Sequence, residues 1–251
     1  MLNYIKAELW KVSRQMSFYM VTGVLLFCAH LFGLLFAGGS FHQLVSGMCT
    51  TMLTGVAAAP MLVQLVDKGF GGTLRNEVSF GLSREMIYLG KLFSIFLVGL
   101  ALCAVLIGGV LLSGWVFLGH DSAQKELVAL AVLAFCLTAA LPVWCGMAGL
   151  CHMLATLFRS EVTWISLYFL SLLFLEPAVA TVGLVITGVQ MNLAEPSFLL
   201  NALMPWTLLV SQLLDRRLTL GFLLRCWAVG LGWLAGTSAA GMLFLRRRDA
   251  R

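Results

Sequence analysis

Residues 92–118 are LFSIFLVGLALCAVLIGGVLLSGWVFL, a run of 27 residues without a charged side chain. A helix needs about 20 mostly apolar residues to cross roughly 30 Å of hydrocarbon, so this run predicts a membrane span. The whole chain agrees, with 61% hydrophobic and 11% charged residues among 251 and a mean hydropathy of +0.97. Soluble domains carry about 25% charged residues. The composition therefore excludes a soluble globular protein, a disordered chain and a disulfide scaffold.

Five further runs are long and apolar enough to span a membrane. Together with the first they predict six spans: Met16–Ala37, Gln43–Val66, Leu92–Leu118, Leu127–Leu157, Val162–Val189 and Leu218–Leu245. Pro60, Pro142 and Pro177 fall inside the second, fourth and fifth spans, where a missing backbone donor bends or breaks a helix. The predicted fold class is an all-α polytopic membrane protein that forms one transmembrane domain.

The distribution of basic residues predicts the orientation. Twelve Lys and Arg residues fall on one set of connections and ends, and four fall on or near the other. The richer side faces the cytoplasm, so both termini are predicted to be cytoplasmic. The basic residues form short islands between apolar runs, which indicates membrane orientation and no nucleic-acid partner.

Residues 1–15 predict an amphipathic helix that lies in the inner membrane interface. Its apolar positions recur at steps of three and four: Leu2, Ile5, Leu9, Val12 and Met16. The alternative is an ordinary basic flank that only orients the first span.

Two connections are longer than a turn requires. Residues 67–91 contain both acidic and basic side chains and five glycines. Asn76 or Ser79 could cap a short helix in this segment, and Ser83 could cap a second helix that enters span three. We predict that this segment forms a cytoplasmic docking surface.

Residues 190–217 are too apolar for a water-exposed loop. We expect interfacial or re-entrant helices there, with Trp206 at headgroup depth, or else part of a longer broken span.

Signatures of catalysis are missing from the sequence. It has no Walker A pattern, no H-E-x-x-H and no G-x-S-x-G, and its four histidines are scattered. The seven cysteines lie in apolar runs without zinc-ligand spacing, which favours packing thiols, so we expect no metal site. Glu176 is the main ionisable residue within a span. It lines a translocation path, or it marks a helix that ends in the outer headgroups.

Four short motifs resemble the permease subunits of ABC transporters of the ABC-2 exporter type, particularly small bacterial permeases of antimicrobial-peptide immunity or drug efflux. Glu8-Leu9-Trp10-Lys11 resembles the family's lead-in to the first span. Gly72-Thr73-Leu74-Arg75-Asn76-Glu77, Gly81-Leu82-Ser83-Arg84 and Tyr88-Leu89-Gly90-Lys91 resemble its stretch after span two. These motifs lie in two segments, residues 1–15 and 67–91, which together make up forty residues, and the remaining spans match in hydropathy alone.

The resemblance implies a membrane subunit that has no ATPase activity of its own. Two permease subunits, as a homodimer or a heterodimer, would bind separate ATP-binding subunits that carry ATP and Mg²⁺, and would export an amphipathic peptide, drug or lipid across a bacterial plasma membrane. The contacts to the ATPase would come from the N-terminal helix and the loop after span two: Glu8, Lys11, Arg75, Glu77, Ser83 and Arg84. The charged members of this set could instead pair among themselves or with lipid headgroups.

Three other functions are alternatives to export by a permease subunit. An ion-driven secondary transporter would need paired charges inside the membrane and inverted repeats, whereas Glu176 is nearly alone. An intramembrane enzyme would need a nucleophile–base or metal cluster, and none is apparent in the sequence. A non-transporting membrane assembly factor remains open.

Overall fold

The computed structural model describes residues 1–36, 39–67, 76–158, 160–187, 205–209 and 218–247, with the backbone alone at residues 32, 34–36, 175–177 and 179–187. In these ranges the protein is all-helical apart from an isolated bridge between Ser40 and Gly119. The helices are α1 (Leu2–Ser13), α2 (Met16–Phe36), α3 (Phe41–Thr50), α4 (Thr54–Asp67), α5 (Arg84–Phe117), α6 (Ala123–Leu157), α7 (Glu161–Thr187) and α8 (Leu220–Arg247). Residues 76–79 and 205–209 are also helical.

Four to five helical segments of the described chain are candidate membrane spans. Phe41–Asp67, α5, α6 and α8 are each long and apolar enough, and α1 with the first part of α2 forms a fifth, bent by 67°. Helix α7 contributes a shorter apolar stretch, Glu161–Phe174. The sixth span stays a prediction.

Two predicted spans differ from the observed helices. Helix α5 starts at Arg84, eight residues before the predicted Leu92, because the Ser83 side chain caps it by accepting from the Met86 N–H at 3.3 Å. Predicted span two divides at a 3₁₀ turn, Thr51–Leu53, which precedes Pro60. The prediction that Ser83 caps the helix entering span three is confirmed.

Two prolines inside helices each leave a carbonyl that an aromatic side chain satisfies. A proline removes the N–H that would bond the carbonyl four residues earlier. For Pro60 that carbonyl belongs to Val56, and the Tyr168 hydroxyl of α7 donates to it at 2.6 Å. For Pro142 it belongs to Thr138, and the Trp227 indole of α8 donates to it at 3.1 Å. Both helices therefore continue through their prolines without leaving the freed carbonyl unsatisfied.

Helices α6 and α8 pack with their backbones in contact. A side chain at Gly230 would place its Cβ 2.3 Å from the backbone carbon of Pro142. Only glycine fits there, which is the small-residue packing typical of membrane helices. The main hydrophobic core is built around α6 by α3, α4, α5, α7 and α8, and Trp206 lies in it with 5% of its surface exposed. Trp206 is therefore buried in protein, and its predicted position at headgroup depth stays a prediction.

Helix α1 buries only the middle part of the predicted apolar stripe. Ile5, Glu8 and Val12 point into the protein, whereas Leu2 and Met16, predicted on the same apolar stripe, are 68% and 72% exposed. The reason is that Glu8 enters a buried ionic cluster and so fixes the rotation of the helix.

The bundle has two ends with different polar contacts. Helix α1, residues 76–79, the first turns of α5 and the last turn of α8 meet at one end, which we call the α1 end. The starts of α3 and α6 meet at the other, the far end. There the Phe41 N–H donates to the Gly119 carbonyl at 3.0 Å, and the Glu126 carboxylate accepts from the Asp121 N–H at 3.0 Å.

Candidate functional site

The candidate site lies at the α1 end, around the first two turns of α5. Lys91 has no exposed surface, and its ammonium lies 3.4 Å from the Glu77 carboxylate and 3.8 Å from that of Glu8. Lys11 lies 3.6 Å from the second oxygen of Glu8. Three segments that are far apart in sequence thus meet on one buried lysine.

Tyr4 completes this ionic cluster. Its hydroxyl donates to the Glu77 carboxylate at 3.1 Å, and its ring occupies the space beside Gly90, where a Cβ would lie 2.5 Å from the ring. Burial raises the pKa of the Tyr4 phenol, and the carboxylates of Glu8 and Glu77 raise it further. The hydroxyl therefore stays protonated and remains a donor.

The buried charges make the cluster sensitive to the loss of one member. A buried ion pair gains little net stability, but removing one partner strands the other charge at a cost of about 3–5 kcal/mol. Lys91 serves two carboxylates, so its loss would leave both Glu8 and Glu77 without their central counter-ion.

Arg84 and Glu85 bind the end of α8. The Arg84 guanidinium donates to the carbonyls of Leu245 and Arg246 at 3.1 Å each, and Arg246 forms an ion pair with Glu85. A cation at a helix C-terminus satisfies orphan carbonyls and interacts favourably with the helix dipole. Part of the Arg84 side chain is therefore engaged inside the protein.

Residues 76–83 form a closed turn. The Gly81 N–H donates to the Val78 carbonyl at 2.9 Å and the Leu82 N–H to the Glu77 carbonyl at 3.4 Å, while Gly81 has a φ of +84°. This is the Schellman pattern that ends a helix on a left-handed glycine. At its tip Phe80 is 85% exposed.

A second buried pair joins α4 to α6. His152 Nδ1 lies 2.5 Å from the Asp67 carboxylate, and both side chains are buried. The Tyr88 ring of α5 packs on the His152 ring with centroids 4.5 Å apart. The sequence did not indicate this pair, because 85 positions separate its members.

The predicted contact residues fall into three groups. Glu8, Lys11 and Glu77 come together in the cluster on Lys91, and Ser83 and Arg84 connect α5 to its own cap and to α8. Arg75 lies outside the described residues. For Glu176 only the backbone is described, and α7 continues helically to Thr187, so the interpretation of a helix that ends near Glu176 is wrong.

Lys91, Tyr4, Asp67 and His152 are the residues that sequence reasoning missed. Lys91 stood at the end of a quoted motif, but nothing in one sequence distinguishes a buried lysine from a lysine that flanks a span. Within the described ranges no group of three or more His, Cys, Asp or Glu side chains could hold a metal ion. All seven cysteines are free thiols.

Comparison with known proteins adds no identification. No protein-family model matches the chain, and no curated protein matches it significantly.

Proposed function

We propose that this chain is the membrane-spanning permease subunit of an ATP-driven exporter that resembles the ABC-2 type. It would have six spans with both termini in the cytoplasm of a bacterium, and would pair with a second permease subunit in the plasma membrane. A separate ATP-binding subunit would supply ATP and Mg²⁺, and the cargo would be an amphipathic peptide, drug or lipid.

The observation that carries this proposal is the ionic cluster on Lys91. It joins α1 and residues 76–79 to α5, and Arg84 joins the same turns of α5 to α8. A protein that binds α1 or the loop would therefore displace two long apolar helices at the same time. Rigid-body movement of this kind is a common way to transmit a switch.

Within this proposal the contact residues divide into two roles. Glu8, Lys11 and Glu77 hold the docking segment in place, while the ATPase meets what remains exposed at its tip. Phe80 is an aromatic side chain on a closed turn, as interface anchors commonly are. We therefore add Phe80 to the predicted contacts Arg75, Ser83 and Arg84.

The proposal predicts that an ATP-binding protein with a Walker A motif is encoded near this chain's gene, and it is tested with that protein. The two proteins are co-expressed, purified through a tag on the permease, and assayed for retained ATPase and for ATP hydrolysis. We expect the chain alone to hydrolyse no ATP and the pair to hydrolyse it. Phe80→Ala should lower retained ATPase at least tenfold, since interface anchors contribute about 2 kcal/mol or more.

Phe117→Ala is the matched control, because Phe117 is a second exposed phenylalanine and lies at the other end of α5. It should retain the ATPase at the wild-type level. Hydrolysis by the chain alone, or a wild-type chain that retains none of the ATP-binding protein, would contradict the proposed function.

The buried Asp67–His152 pair favours a second candidate, an ion-driven secondary transporter, since paired charges inside a membrane protein often serve proton or ion coupling. Cargo transport in liposomes decides between the two. A proton gradient should drive transport without ATP in the second case, and Asp67→Asn should abolish it; ATP with the partner subunit should be required in the first.

A further inference from the structure

The exposed side of α1 carries a regular stripe of residues. Leu2, Lys6, Trp10 and Arg14 are all exposed and follow one another at steps of four, so they lie along one face of the helix. Leu2 and Trp10 are 68% and 64% exposed. We call these four residues the outer stripe.

The outer stripe alternates apolar and basic side chains. Arg14 lies over the Trp10 ring, 5.3 Å from its centroid. The acidic residue of α1, Glu8, lies on the opposite face and is used by Lys91 and Lys11. The stripe therefore carries two positive charges beside two large apolar side chains, with no carboxylate from its own helix.

The angle between α1 and α2 places this stripe near a membrane surface. The two helices are bent by 67° where α1 ends, and the Tyr19 hydroxyl of α2 donates to the Ser13 carbonyl of α1 at 2.8 Å across the bend. If α2 runs through the bilayer, α1 lies closer to the membrane plane than to its normal. Aromatic and basic residues are enriched at that depth.

We propose that the outer stripe binds the headgroups of anionic phospholipids. Lys6 and Arg14 donate to phosphodiester oxygens, while Leu2 and Trp10 enter the boundary between headgroups and acyl chains. The lipid contact is thus made by a face that shares only Leu2 with the apolar stripe that the sequence suggests, because Ile5 and Val12 of that stripe are buried in the protein. This proposal holds with or without an ATPase partner.

Lipid titration of the purified full-length chain in detergent, followed by native mass spectrometry, tests the proposal. The probes are dioleoyl phosphatidylglycerol and dioleoyl phosphatidylcholine. A basic residue near an anionic surface contributes about 1 kcal/mol, so Lys6→Gln/Arg14→Gln should weaken phosphatidylglycerol binding about 30-fold. Binding of phosphatidylcholine should not change.

Three further variants separate charge from other effects. Lys6→Arg/Arg14→Lys keeps both charges and should bind phosphatidylglycerol like the wild type. Trp10→Ala should weaken the binding of both phosphatidylglycerol and phosphatidylcholine, because the contact of Trp10 with lipid does not depend on charge. Lys125→Gln removes an exposed charge at the far end that has Asp121 and Glu126 beside it in sequence, and should change phosphatidylglycerol binding less than twofold.

Two results would overturn the proposal. One is unchanged phosphatidylglycerol binding by Lys6→Gln/Arg14→Gln with an unaltered unfolding temperature. The other is displacement of the lipid by inorganic phosphate at about 10 mM, which would show a site for free phosphate, since phosphate has no acyl chain to contact Leu2 and Trp10. If the first result comes together with a loss of retained ATPase in the same variant, the stripe is assigned to a protein partner.

Discussion

The two ends of the helical bundle use polar residues in opposite ways. At the α1 end the polar contacts join different helices: 73 positions separate Tyr4 from Glu77, 85 separate Asp67 from His152, and 161 separate Arg84 from Leu245. At the far end the Glu126 carboxylate binds His120 and Asp121, six and five positions away. The α1 end is held together across the fold, and the side chains at the far end finish one helix locally.

This difference bears on how movement passes through the molecule. A local cap at the far end stabilises α6 and transmits nothing to another helix. Buried ionic contacts between helices couple the positions of those helices, because separating them strands charges away from water. A conformational change that starts at the α1 end should therefore spread to α5, α6 and α8.

The largest expected effect tests the ionic cluster directly. Lys91→Met should lower the free energy of unfolding by about 3–5 kcal/mol, because Glu77 loses its counter-ion and Glu8 keeps only the partly exposed Lys11. Thermal unfolding in detergent measures it. At the far end, Lys125→Met removes an exposed lysine and should cost less than about 0.5 kcal/mol.

A neutral version of the cluster shows whether charge is the cause. Glu8→Gln/Glu77→Gln/Lys91→Met contains no stranded charge and should recover most of the lost stability. If this triple variant is no more stable than Lys91→Met, the loss comes from packing around Lys91, and the contrast between the ends does not rest on charge.

A smaller effect is expected when one carboxylate at each end is replaced and the losses of stability are compared. Asp67→Asn weakens a buried bond between α4 and α6 and should cost about 2 kcal/mol, within the range for hydrogen bonds to charged groups. Glu126→Gln at the far end should cost about 0.5–1 kcal/mol, since water can replace part of the cap. Equal losses in the two variants would contradict the contrast.

Much of the fold could be predicted from the sequence, because membrane helices are defined by length and apolarity. Predicted span four and helix α6 share Leu157 as their last residue, and Ser83 was correctly predicted as a cap. The 3₁₀ turn at Thr51–Leu53 could not be predicted, since hydropathy does not distinguish a broken apolar run from a continuous one. The rotation of α1 was missed because it is fixed by Glu8, a tertiary contact.

The site was predictable as a region and not as a set of contacts. Sequence motifs drew attention to Glu8, Glu77 and Arg84, and the structure places all three at the α1 end. What each one binds depends on how distant helices pack, and a single sequence contains no information on that. The pairing of Asp67 with His152 is the clearest example, because 85 positions separate the two residues and the nearest opposite charge to Asp67 in sequence is Lys68.

Tyr168 and Pro60, in the middle of the bundle, give a reference for the effects at both ends. We expect a coupling free energy of about 1 kcal/mol between them. Tyr168→Phe leaves the Val56 carbonyl without its donor, whereas Pro60→Ala supplies a backbone N–H to the same carbonyl. The loss caused by Tyr168→Phe should therefore be about 1 kcal/mol smaller in the Pro60→Ala background, as a double-mutant cycle in thermal unfolding would measure. Additive effects would mean that Tyr168 acts through packing alone.

The smallest expected effect is a pH dependence that belongs to the α1 end. The pKa of Tyr4 is raised in the folded protein, mainly by burial and then by Glu8 and Glu77, whereas an unfolded tyrosine titrates near pH 10. Above that pH the unfolded chain loses the proton first, so stability present at neutral pH declines as pH rises. Tyr4→Phe has no proton to lose and should lack this part of the decline, although it is less stable at pH 7 through the missing bond to Glu77. The difference in unfolding free energy between the two proteins should therefore shrink between pH 9 and about 10.5; a constant difference would show that the Tyr4 hydroxyl is solvated and that the cluster at the α1 end is open to water.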